Sequence, residues 1–126
     1  MAIALVQSTK KIVTGVNNTT LAYASNVTAA NLLCNAHAHF AGTPDTITTP
    51  TDTLGHTYAG MVDEQGGGSV KLRSFYVGNS SGGADTVTFD ISGTDTGDIT
   101  VVVAEFSGAV TASPLDVTSS GTGTGT

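Results

Sequence analysis

Leu32-Leu33-Cys34-Asn35-Ala36-His37-Ala38-His39-Phe40 alternates side chains with a period of two. In an extended segment Leu32, Cys34, Ala36, Ala38 and Phe40 share one face, and Leu33, Asn35, His37 and His39 share the other. That is the pattern of a strand covered on one side. The alternation places the two imidazoles on a face directed to solvent or to a partner.

The same period recurs on both sides of this stretch. Ala2 to Gln7 reads as a first strand, which Lys10-Lys11-Ile12-Val13 extends or follows, and Thr19 to Ala24 alternates weakly. Downstream, Thr57 to Val62 is extended, and Val87, Phe89 and Ile91 alternate with Thr86, Thr88 and Asp90. Ile99 to Phe106 is the most apolar run, as expected of a strand in the core. Val70 to Val77 carries apolar residues on both faces, with Val70, Leu72 and Tyr76 on one and Phe75 and Val77 on the other. A central position, or cover from a partner, accounts for that. Residues 41 to 56, with Pro44, Pro50 and Gly55, read as loop with at most one short strand, and Gly66-Gly67-Gly68 as a flexible connection. No segment sustains a helical period.

Composition agrees with this pattern. Thr, Val, Gly, Ala and Ser dominate the 126 residues, and only 11% are charged, against about 25% in typical soluble domains. Branched Cβ atoms suit a pleated surface, and the Gly, Asn, Asp and Ser clusters between apolar runs suit turns. The expected fold is all-β, an antiparallel β-sandwich of jelly-roll or immunoglobulin-like kind, over residues 1–118, with a Gly/Thr-rich tail at 119–126.

Charge and motif content narrow the function. The net charge is −6, and Lys10, Lys11, Lys71 and Arg73 are the only basic residues, too few to follow a row of phosphates. Neither nucleic acid nor membrane is an expected partner. Ala2 to Val6 is too short for a signal-peptide core, so with Met1 as native start the chain is expected to be used without export. Cys34, the single cysteine, reads as an inert buried thiol.

Several groups have the residue types of metal sites. His37 and His39 project from one face, with His56 downstream, and imidazoles bind transition metals. Asp90, Asp95 and Asp98 flank the turn Ser92-Gly93-Thr94, an oxygen-rich stretch of the kind that binds calcium, though not at EF-hand spacing. Asp63-Glu64 is a further acidic pair. Turn formation explains the aspartates and a polar surface the histidines, so no metal or other cofactor is expected. No nucleophile elbow appears, Glu105 reads as a paired or edge residue, and the chain is not expected to be an enzyme.

Ordered motifs carry a resemblance. Asn31-Leu32-Leu33, Asp52-Thr53-Leu54-Gly55-His56-Thr57-Tyr58, Phe75-Tyr76-Val77-Gly78-Asn79, Gly82-Gly83-Ala84-Asp85-Thr86-Val87-Thr88, Val101 to Gly108 and Pro114-Leu115-Asp116 together resemble a sandwich module. Such modules are similar to those of bacteriophage virion proteins of the decoration type and of bacterial surface multidomain proteins. The resemblance implies an adhesive or structural role and brings no catalytic residues. The expected function is a structural virion protein, a capsid decoration or other exterior component assembled in the host cytoplasm. Its expected partners are the major capsid or another virion protein and further copies of itself. Phe75, Val77, His37 and His39 are the expected interface residues. The alternative is a carbohydrate-binding or adhesive module of an extracellular bacterial protein.

Overall fold

The structure, a computed structural model, describes residues 2–40, 45–64 and 69–121. The chain forms β1 (Ala4–Val16), β2 (Asn18–Ala22), β3 (Leu32–Phe40), β4 (Thr51–Asp52), β5 (Ala59–Glu64), β6 (Val70–Val77), β7 (Thr86–Asp90) and β8 (Gly97–Ser107). The glycine run at 66–68 and residues 122–126 of the tail lie outside the described residues.

Two antiparallel sheets result, one of five strands in the order β1-β8-β3-β6-β5 and one of three in the order β2-β7-β4. β1 pairs with β8, β2 with β7 and β3 with β6, so the two halves of the chain form one long ribbon rolled into two layers. This ribbon pairing is the jelly-roll solution of the sandwich. Bridges at Val27–Gly83 and Ile47–Ile91 add to the strand pairing outside the named strands.

Between the layers the core holds Leu21, Tyr23, Val27, Leu33, Ile47, Tyr58, Phe75, Val77, Val87, Phe89, Ile91, Ile99, Val101 and Val103. Phe75 and Val77 therefore belong to this chain's own interior and are not interface residues. Their strand is two-sided because β6 lies inside the large sheet, between β3 and β5.

The faces of β3 are reversed from the sequence expectation. His37 and His39 are 0% and 1% exposed, with Asn35 and Leu33 beside them in the core, whereas Phe40 on the opposite face is 55% exposed. Register supplies the reason: His37 lies between Val101 and Arg73, and His39 between Ile99 and Lys71. β8 must turn Ile99, Val101 and Val103 inward, and neighbouring side chains in one ladder row share a face. β3 follows its neighbour.

Candidate functional site

Three polar groupings lie in or beside the core. At one end Glu105, fully buried in line with the valines of β8, accepts hydrogen bonds from Gln7 Nε2 at 2.6 Å, Thr28 N at 2.8 Å and Asn31 Nδ2 at 2.6 Å. Burial pushes its carboxyl up, but these donors more than offset that and hold it below the ordinary glutamate range. Gln7 in turn accepts from Ser25 N and Oγ. The buried carboxylate thus ties the segment between β2 and β3 to the large sheet, which is the paired state expected from the sequence.

The second grouping joins Asp52, His56, Tyr58 and Asp85. Asp52 Oδ2 accepts from Tyr58 Oη and His56 Nδ1, both at 2.7 Å, and Asp52 Oδ1 accepts from His56 N at 3.0 Å. Burial raises the Asp52 pKa, and the bonds from Tyr58 and His56 outweigh it, so the carboxyl sits below its usual value. Asp52, His56 and Asp85 are the one grouping of metal-ligating side chains among the described residues, with their ligand atoms within 4.8 Å of one another. Both ring nitrogens of His56 are already engaged in hydrogen bonds. Ser81 N donates to His56 Nε2 at 2.8 Å, so Nε2 is unprotonated and Nδ1 carries the hydrogen that points at Asp52. A metal ion at Nδ1 would have to displace that hydrogen. Asp85 accepts from Thr53 Oγ1 at 3.1 Å, and burial, then the charge of Asp52, raises its pKa. The arrangement locks the β4–β5 turn onto the segment before β7. A cleft of about 390 Å³ opens beside it, lined in part by Tyr23, Thr53 and Asp85. The Tyr23 hydroxyl and Asp85 Oδ2 are closed off from solvent. The cleft therefore offers a ligand neither group.

The third grouping is the histidine pair. The His37 ring meets His39 edge-on at 6.2 Å between centroids and meets Phe89 of the opposite sheet at 5.7 Å. No ring nitrogen of either has a hydrogen-bond partner among the described residues. Burial, and secondarily His39, lowers the His37 pKa to about 4. For His39, burial and then Lys71 lower it, against the opposing pull of Asp95, Asp45 and Asp98. Both rings are neutral packing elements at pH 7. His56 lies elsewhere, with Asp52, and the three imidazoles do not converge among the described residues.

Of the aspartates singled out in the sequence, Asp90 and Asp95 each accept from the next backbone N–H. Asp90 Oδ1 accepts from Ile91 N at 2.8 Å, Asp95 Oδ1 from Thr96 N at 3.1 Å, and Asp95 N donates to Asp45 Oδ2 at 3.0 Å. Asp98 is exposed opposite Phe40. Asp63 pairs with Arg73 at 3.2 Å, while Glu64 faces the other way beside Leu72. Arg73 also covers the Phe75 ring at 4.9 Å and donates to Ile47 O.

What the sequence reading missed is the outer face of the five-stranded sheet. Ladder rows place Leu5, Phe106 and Leu32 together, then Ser8, Ala104, Cys34, Tyr76 and Ala59, then Lys10, Val102, Ala36, Ser74 and Val62. The next row holds Ile12, Thr100, Ala38, Leu72 and Glu64, and the last Asp98, Phe40 and Val70. On this face Leu5, Ile12, Phe40, Val70 and Leu72 are 58%, 67%, 55%, 62% and 39% exposed. Cys34 is half-buried in its centre, and burial raises its thiol pKa. Scattered exposed apolar residues are ordinary, whereas large contiguous apolar patches are a general feature of interaction surfaces. The signal was present in Leu32, Cys34, Ala36, Ala38 and Phe40, which the sequence reading assigned to the core.

Comparisons with family models, with curated proteins and with solved structures find no match to this chain. Among the described residues no helix is long and apolar enough to cross a membrane.

Proposed function

We propose that this protein is a structural assembly unit, an exterior virion component of the decoration type, working through protein contacts on its surface. The observation that carries this reading is the broad apolar outer face of the five-stranded sheet, which carries charge only at Lys10, Glu64 and Asp98. The buried carboxylates and imidazoles described above act as locks and packing elements, and these rigidify a scaffold. The jelly-roll architecture occurs in capsid proteins and in lectins alike, so the fold by itself does not choose between docking and sugar binding. Sugar binding by stacking uses exposed aromatic rings. Here Tyr23, Tyr58, Phe75 and Phe89 are buried, Tyr76 and Phe106 half-buried, and Phe40 alone exposed among the described aromatics. The partner in this reading is the major capsid or another virion protein, reached in the host cytoplasm during assembly.

Co-sedimentation tests it. Purified protein is mixed with undecorated capsid shells and, separately, with insoluble polysaccharides. Saturable binding to the shells supports the virion reading, and binding to polysaccharide alone replaces it with the adhesive one.

A further inference from the structure

We infer that the outer face of the five-stranded sheet is occupied by a second copy of this chain, in a dimer whose two-fold axis runs along β3. The inference rests on the reading of this chain as an assembly protein and assigns this face to self-association, so that contact with the shell falls to the remaining surface. Three features of the face carry it.

Size comes first. Five strands at about 4.8 Å spacing and rows spanning about 27 Å along the strands give a patch of about 650 Å² per copy, or about 1,300 Å² for a pair. That exceeds the roughly 1,000 Å² expected of a specific interface.

Shape comes second. A two-fold axis lying between the sheets along β3 sets β6 of one copy over β8 of the other, and β5 over β1. Row by row, Tyr76 then faces Ala104, Leu72 faces Thr100 and Val102 faces Ser74, while at the first row Thr111 and Pro114 of the same chain already cover Gly78. Bulky side chains meet small ones at these three positions, while Val70 faces Asp98 and Ile12 faces Glu64. On the axis itself Cys34, Ala36 and Ala38 are small enough for the sheets to approach at the ordinary packing distance of about 10 Å, with Leu32 and Phe40 meeting their own copies at its two ends. Turning the axis across the strands instead sets Tyr76 over Leu72 and Val102 over Val102, bulky on bulky.

Charge comes third. Lys10 on β1 and Glu64 on β5 stand at opposite edges of the face, in adjacent rows. The axis along β3 carries the lysine of each copy to within one row of the other copy's glutamate, forming two equivalent pairs at the rim. The crossed axis instead sets lysine over lysine. Charge therefore favours the axis along β3.

Sedimentation velocity over a concentration series tests the dimer, with variants made in the full chain. Wild type is expected at twice the chain mass. Leu72→Lys is expected to sediment as a monomer with an unchanged circular dichroism spectrum; if it misfolds, Ile12→Lys at the rim of the same face replaces it. Lys10→Glu and Glu64→Lys are each expected to weaken the dimer about tenfold, because two symmetric pairs are lost, and the double reversal to restore it. A wild type that stays monomeric at millimolar concentration overturns the inference, as does a double reversal no tighter than either single one. A monomer that still binds capsid shells sinks this inference alone. A dimer that binds no shells sinks the virion reading alone.

Discussion

Replacing His37 with leucine isolates the consequence of burying an imidazole in this core. In the folded chain its pKa falls from 6.5 to about 4, through burial first and His39 second. At about 1.4 kcal/mol per pH unit, that difference amounts to about 3 kcal/mol. The direction follows from proton binding. Between pH 6.5 and 4 the unfolded chain holds a proton on this residue that the folded chain refuses, so the unfolded state gains as pH falls. The stabilisation is complete above 6.5 and is lost progressively down to about 4. Leucine is close in size and cannot titrate. It gives up the edge-on contacts with Phe89 and His39 and removes two ring nitrogens without partners, so stability at pH 7.5 should stay within about 1 kcal/mol of wild type. Urea unfolding, followed by tyrosine fluorescence at fixed protein concentration and in half-unit pH steps from 7.5 to 4, measures both proteins. Wild type should lose about 3 kcal/mol more than the variant across that range. Parallel curves would refute the burial argument.

Glu105→Gln should cost about 2–3 kcal/mol at pH 7, since the amide NH2 replaces one carboxylate oxygen and sets a donor against either Gln7 Nε2 or the pair Thr28 N and Asn31 Nδ2. Because the Glu105 pKa is depressed, that penalty should persist above pH 4.5 and shrink as pH falls further, which the same titration reads in a lower window. Tyr58→Phe removes the hydroxyl that donates to Asp52 and should lower stability by about 1–2 kcal/mol, seen as an earlier urea midpoint at pH 7. Gly108 has φ +78°, and a Cβ there would overlap the Ala2 carbonyl oxygen. Gly108→Ala should therefore cost more than about 1 kcal/mol and speed amide exchange at the start of β1, an outcome that hydrogen-exchange mass spectrometry of residues 2–7 checks.

Much of the strand content was legible because period-two patterning and turn residues are local properties. Leu32–Phe40 and Val70–Val77 are strands with the bounds that their alternation marks, and β8 extends the Ile99–Phe106 run at both ends. Among the described residues, 45–56 hold only the short β4 as a named strand, with Ile47 bridged to Ile91, and residues 41–44 lie outside the described residues. Ala2–Gln7 and Lys10–Val13 merge into one β1, whose register shifts beside Leu5 and Val13. The Asp52–His56–Tyr58 lock was half legible. His56 and Tyr58 lie four and six residues beyond Asp52, within one turn's reach, but Ser81 and Asp85 arrive from across the sandwich.

Alternation along β3 determined that its side chains divide into two sets, and no more than that. Which set lies inside was decided by β8 and β6, whose Ile99, Val101, Val103, Phe75 and Val77 face the second sheet and through the ladder carry Asn35, His37 and His39 with them. Burial belongs to the sheet as a whole, because hydrogen-bonded neighbours turn the same way at each row and the apolar gain is summed over all of them. A strand's own polarity is one contribution to that sum. The tertiary arrangement therefore hid the polar face of β3 and left its cysteine, alanines and phenylalanine on the outside, where a partner can reach them.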